Sequence, residues 1–154
     1  MNDNWHARFL ELAKHIASWS KDPSTQVGAV VVDPSTKNIV GTGYNGFSRG
    51  MKDSPDRYLD RDTKLKFGVH AEANAILNAQ VPVKGCFIYI WPTIMDPACC
   101  NECAKLIVQS GIEQVYYYKE DNLPDRWKDK AEISSTILNE GNVGVYKIDK
   151  AGMM

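Results

Sequence analysis

CFIYIWPTIMDPACCNECAKLIVQSGIEQVYYY, residues 86–118, decides how this chain folds. CFIYIW (86–91) is dense in β-branched and aromatic residues and reads as a strand. The break between Pro92 and Pro97 leads into CCNECAKLIVQSG, whose spacing predicts a helix from about Cys100 to Ser110, stopped by Gly111. IEQVYYY (112–118) is a second strand. A strand–helix–strand unit favours parallel pairing, with the helix laid on a face of the sheet.

The same alternation continues downstream. DRWKDKAEISSTILNE (125–140) predicts a helix that Asp125 caps and Gly141 ends, and VGVYKI (143–148) adds a strand. The residues after about 149 read as a frayed tail. Upstream, HAEANAILNA (70–79) is helical, while VGAVVVD (27–33) and NIVGTGY (38–44) are strands around a turn at Pro34–Lys37. The first of them is apolar almost throughout, as suits a strand covered on both faces. Phe9, Leu12, Ala13, Ile16 and Trp19 mark an amphipathic helix over about residues 4–20. Residues 45–68 read as a long loop, or a loop with a short helix, and loops of that length are usually functional or disordered. The expected fold class is α/β: a three-layer α/β/α sandwich around a five-stranded mixed sheet, with residues 1–154 as a single domain.

Composition narrows the function. The chain is 44% apolar and 24% charged, ordinary for a globular domain. Eighteen Lys and Arg nearly balance nineteen Asp and Glu, for a formal charge of −1, which disfavours a broad nucleic-acid surface but leaves room for a local basic pocket. No apolar run reaches the length of a membrane span, and no secretory signal is apparent at the start. Of the four cysteines, Cys99, Cys100 and Cys103 fall within five residues. Such a cluster without an export signal points to metal or redox chemistry in the cytoplasm rather than to a disulfide framework.

Two segments carry the chemistry: Val69-His70-Ala71-Glu72 and Cys100-Asn101-Glu102-Cys103, each at the expected start of a helix. Zinc accepts imidazole nitrogen and thiolate sulfur, and a catalytic site uses three protein ligands with one position open to water. Cys100 and Cys103 lie three apart and so share one helix face, where the positive helix end favours thiolates. His70 is the expected third ligand. Glu72, two residues further on, is placed to take a proton from a water whose pKa the metal lowers from about 15.7 to about 7. His-x-Glu with a downstream Cys-x-x-Cys is the zinc nucleobase-deaminase pattern, in which the glutamate is not a ligand.

The resemblance extends well beyond these residues. SKDPSTQVGAVVV (20–32), GTGYNGFSRG (41–50), VHAEANAILNA (69–79), KGCFIYI (84–90) and CNECAKLIVQSGI (100–112) resemble the deoxycytidylate deaminases of the cytidine deaminase superfamily. That resemblance implies a cytidine-deaminase-like fold, one catalytic zinc, and hydrolysis of dCMP to dUMP and ammonia, feeding thymidylate synthesis. By position it implies His70, Cys100 and Cys103 as zinc ligands, Glu72 as the proton carrier, Asn45 contacting sugar or base, and the Ala71 amide holding the pyrimidine carbonyl. It also implies a homo-oligomer, with a hexamer as one form, and dCTP and dTTP as effectors acting near the Gly-Tyr-Asn-Gly turn. Two positions depart from the family pattern: Cys99 stands where proline usually precedes the first cysteine, and Ser48 replaces a proline in the turn.

Plainer readings stand beside these. A structural zinc site would take Cys86 or Cys99 as fourth ligand and make the chain a binding module, but it leaves Glu72 without a role. Another same-fold deaminase would act on dCTP, a modified dCMP or deoxycytidine. His6 and His15 read as packing or surface residues of the first helix, and Cys86 as core. Asn45 between two glycines also suits a left-handed turn. One of Tyr116, Tyr117 and Tyr118 is a candidate to stack on the base, and Tyr117 is the one expected in the substrate site. For the phosphate, Lys21, Ser24, Arg49, Lys52, Arg57 and Arg61 are the candidates, and Ser24 is the one of them expected in the substrate site.

Overall fold

A computed structural model describes residues 1–150; residues 151–154, most of the expected frayed tail, lie outside the described residues. Helix α1 (Asp3–Ala17) opens the chain, with the Asn2 side chain accepting from the Trp5 amide at 3.2 Å. It ends earlier than its apolar spacing suggests. The amides of Ser18, Trp19 and Ser20 each turn back to the carbonyl three residues earlier, a tightening that closes the last turn.

Five strands follow the expected pattern: β1 (Gly28–Asp33), β2 (Asn38–Tyr44), β5 (Phe87–Trp91), β6 (Gln114–Tyr118) and β7 (Gly144–Ile148). Their spatial order is β2-β1-β5-β6-β7, antiparallel at the first two junctions and parallel at β5–β6 and β6–β7. Alternation along β1 sends Val30 and Val32 toward Phe9, Leu10 and Ala13 of α1. Ala29 and Val31 face the other way, toward Ala71 and Ala75 of α4 (Ala71–Leu77), Ile107 of α5 (Asn101–Ser110) and Leu138 of α6 (Lys128–Glu140). The three-layer α/β/α sandwich with a five-stranded mixed sheet is therefore the fold. No helix among the described residues is long and apolar enough to cross a membrane.

The segment read as a long loop is largely structured. It holds β3 (Gly46–Phe47), α2 (Pro55–Leu59), α3 (Arg61–Phe67) and β4 (Gly68–Val69). β3 pairs with β4 through Gly46–Val69 and Phe47–Gly68, so the two ends of the excursion are clasped and Asn45 is drawn toward His70. α3 buries none of its residues, which explains why apolar periodicity did not reveal it. Asp60 starts it instead, accepting from the Asp62 amide at 3.2 Å and the Thr63 hydroxyl at 2.8 Å.

At the C-terminal end, Asp125 does not cap α6: it lies in a 3-10 turn (Asp125–Trp127) that runs into the helix. Gly111 closes α5 in the left-handed conformation at φ 84°, as expected. After α6 that conformation belongs to Asn142 (φ 61°), not Gly141.

Gly43 sets how closely α4 approaches β2. A Cβ there would sit 2.3 Å from the Ala75 amide nitrogen and 2.5 Å from the Ala71 carbonyl oxygen, both backbone atoms that cannot swing aside. Gly43→Ala is expected to lower unfolding free energy by about 1–3 kcal/mol in urea melts. Because α4 follows directly from His70, activity should fall with it; an unchanged urea midpoint would show that α4 is free to move outward.

Candidate metal centre

Two helix beginnings meet at the carboxyl end of β5. His70 is the extended residue immediately before α4, and Glu72 lies in that helix's first turn; Cys100 immediately precedes α5, and Cys103 lies in its first turn. Neither His70 nor Cys100 spends its side chain on capping. Their ligand atoms converge: His70 Nδ1 is 3.3 Å from Cys103 Sγ and 3.4 Å from Cys100 Sγ, and all three lie within 4.8 Å of one another. Ordinary zinc–nitrogen and zinc–sulfur bonds set at tetrahedral angles place such atoms about 3.6 Å apart, so these donors fit one zinc ion.

The electrostatics suit a cation. Cys103 donates to Cys100, which together with His70 holds the Cys100 thiol far below the usual thiol range. The same hydrogen bond, then burial, raises Cys103, and the thiolate-like Cys100 raises His70. Removal from water raises the pKa of Glu72, which is 5% exposed. Cys99 is fully buried, its Sγ 3.6 Å from Ser134 Oγ, with its thiol pushed up to about 12 by burial. Among the described residues the metal-holding group has three members, and neither Cys86 nor Cys99 supplies a fourth.

A cavity of about 620 Å³ opens in front of these residues, lined at one end by His70, Ala71, Glu72 and Cys100. Asn45 and Ser24 also line it. Asn45 is not a left-handed residue. Its carbonyl accepts from the Val27 amide at 2.8 Å and its amide donates to the Thr25 carbonyl at 2.9 Å, which ties the 20–27 loop to the end of β2. One N–H and one lone pair of that carboxamide remain after these bonds. Ala71 is the first residue of α4, so its amide belongs to the turn that has no intrahelical acceptor. Ser24 donates to Asp22 and receives Lys64 Nζ at 2.7 Å.

Tyr117 does not line the cavity. It is fully buried and its hydroxyl donates to Asp96, whose other oxygen takes Lys147 Nζ at 3.0 Å. With the Thr93 hydroxyl on the Tyr118 carbonyl at 2.7 Å, these bonds fasten the 92–100 loop that delivers Cys100. Tyr117→Phe should therefore cost about 1–2 kcal/mol of stability and leave KM for the substrate unchanged; a raised KM at full stability would put the hydroxyl back in the substrate site. His6 is likewise internal, 2.8 Å from the Tyr89 hydroxyl and stacked on Tyr116 at 4.0 Å. Among the residues not foreseen in this site are Arg126, Trp127 and Lys130, which bring the C-terminal helical segment into the cavity wall. The interleaved cations and indole of DRWKDK were the signal available for them.

Comparison with known proteins agrees with this geometry. Residues 3–119 match the family described as the cytidine and deoxycytidylate deaminase zinc-binding region. The chain is 39% identical over 146 residues to an uncharacterized deaminase in the luxG 3' region of Aliivibrio fischeri, covering 94% of each chain. It is 41% identical over 140 residues to the deoxycytidylate deaminase of Mus musculus, covering 87% of this chain and 72% of that one. The dCMP deaminase of cyanophage S-TIM5 superposes with a TM-score of 0.70 at 23% identity over 96% of this chain and 99% of that one, a likeness of fold.

Proposed function

The chain belongs to the cytidine and deoxycytidylate deaminase zinc-binding family, and we propose that it deaminates dCMP hydrolytically to dUMP and ammonia. Relatives at about 40% identity over most of the chain are deoxycytidylate deaminases. The observation that carries the reading is the three-member His70, Cys100, Cys103 set with buried Glu72 facing the same cavity. A closed structural site gives no reason to bury a carboxylate beside it.

Zinc held by these residues lowers the pKa of water enough to supply hydroxide near neutral pH. The protein's own groups do the rest. Glu72, kept out of bulk water and raised in pKa, accepts the proton from the attacking water and passes one to N3 of the base. As the C4–N bond breaks, Glu72 takes the remaining proton from the oxygen now bonded to C4, which becomes the carbonyl, and gives it to the departing amine, which leaves as ammonia. The Ala71 amide donates to the pyrimidine carbonyl, and the free half of the Asn45 carboxamide meets the sugar or base. Cytoplasmic residence suits the thiols, all four of which are unpaired. A homo-oligomer, with a hexamer as one form, is supported by exposed Leu59, Leu65 and Phe67 on α2–α3, the kind of surface a subunit contact covers. Regulation by dCTP and dTTP belongs to the same reading.

The test is ammonia release by the zinc-loaded protein from dCMP, dCTP, deoxycytidine and a single-stranded oligonucleotide, with and without dCTP, alongside light scattering. dCMP is expected to lead by at least tenfold in kcat/KM. Preference for any other member of the panel overturns the assignment of substrate.

A further inference from the structure

Four Lys and Arg side chains line the cavity: Arg61, Lys64, Arg126 and Lys130. Lys64 is committed: its Nζ lies 3.3 Å from Asp22 and 2.7 Å from Ser24 Oγ, so its charge is already matched. Arg126 and Lys130 are not. None of the ion pairs formed among the described residues includes either of them. Both instead lie against one indole, the Arg126 guanidinium 5.1 Å and Lys130 Nζ 5.3 Å from the Trp127 ring centre. Lys130 lines the same cavity as His70 and Cys100.

Two unneutralised cations on one aromatic plate, in the wall of a cavity, call for an anion. The acids that line the cavity do not supply it: Asp22 faces Lys64, Glu120 takes Lys150 at 2.8 Å, and Glu72 is buried. A phosphomonoester at pH 7 carries about −1.5 to −2 charge, which two cations match. Cation–π contact with Trp127 limits the rotamers of both side chains, so little ordering is left for the moment of binding. Of the loop candidates raised from sequence, Lys21 pairs with Asp53 at 2.6 Å, Arg49 bonds Asn78 and Arg57 bonds the Lys52 carbonyl, and neither these three nor Lys52 lines the cavity. Arg61 does line it, but among the described residues no aromatic ring lies against its guanidinium to hold it in place.

We infer that Arg126 and Lys130, held on Trp127, take the 5'-phosphate and set the preference for a nucleoside monophosphate over the free nucleoside. The inference rests on the proposed deamination and specifies how its substrate is chosen. Phosphate selection then lies in the C-terminal helical segment, beyond the residues matched by the family.

The experiment measures kcat/KM of zinc-loaded wild type, Arg126→Ala, Lys130→Ala and the double variant on dCMP and on deoxycytidine at fixed ionic strength. Each single change is expected to lower the dCMP value about 10–100-fold, chiefly through KM, and to leave deoxycytidine within about twofold. The double variant should lose the advantage of dCMP together with its sensitivity to added KCl. Equal losses on both substrates, or an unchanged dCMP value, overturn the inference. Where deoxycytidine turnover is too slow to follow, competition binding of dUMP against deoxyuridine gives the same comparison. A wild type that leaves dCMP untouched refutes the proposed reaction instead, so the two failures are distinguishable.

Discussion

Glu72→Gln should bind one zinc per chain, melt within a few degrees of the parent, and turn over dCMP about 10⁴-fold more slowly. Glutamine matches the shape of a side chain that is 5% exposed, so packing survives, while the group that carries protons is gone. General acid–base groups typically contribute about 10²–10⁴-fold. The upper end is expected here because one carboxylate both removes a proton from water and delivers protons to the base. Its buried setting is what prepares it for both tasks: desolvation raises its affinity for a proton, so it can hold one between steps. A Glu72→Gln protein with near-parental turnover would remove this residue from the mechanism.

Stripping the metal is expected to abolish activity and lower Tm by about 10 °C. A ligand present at about a thousand times its Kd stabilises by about 4 kcal/mol, and each kcal/mol moves the Tm of a domain this size by about 2–4 °C. Zinc added back in one equivalent should restore both. Cys103→Ser should behave like the stripped protein, since it takes away a sulfur 3.3 Å from His70 Nδ1. Cys99→Ser should keep the metal, since that sulfur faces Ser134. Zinc loss in Cys99→Ser with zinc retained in Cys100→Ser would reverse the ligand assignment.

The architecture was legible where apolar periodicity and turn chemistry coincide. Residues 86–118 announce a β-α-β unit because the helix is bounded by a proline-rich break and by Gly111. α2 and α3 were hidden because they are short and almost unburied, and so lack a stripe to read. The metal group was legible because its members sit at fixed short spacings at two helix starts; only their meeting across 30 residues depended on the tertiary fold. Tyr117 shows the limit of the method. Alternation says that Tyr116 and Tyr118 share a face and Tyr117 takes the other, and the structure bears this out, with Tyr117 in the α4–α5–α6 layer and its neighbours against α1. Alternation does not say that Tyr117 is sealed inside its layer, tied to Asp96. For Arg126 and Lys130 the local hint is only the cations interleaved with an indole in DRWKDK; that this segment borders a cavity shared with His70 depends on the tertiary fold.

Zinc-edge X-ray absorption on the resting, zinc-loaded protein tests the central claim most directly. The account predicts two sulfurs and one imidazole nitrogen from the chain, with the last coordination position left to a non-protein ligand. A third sulfur or a second imidazole in the shell would close the site and contradict a catalytic role for the metal.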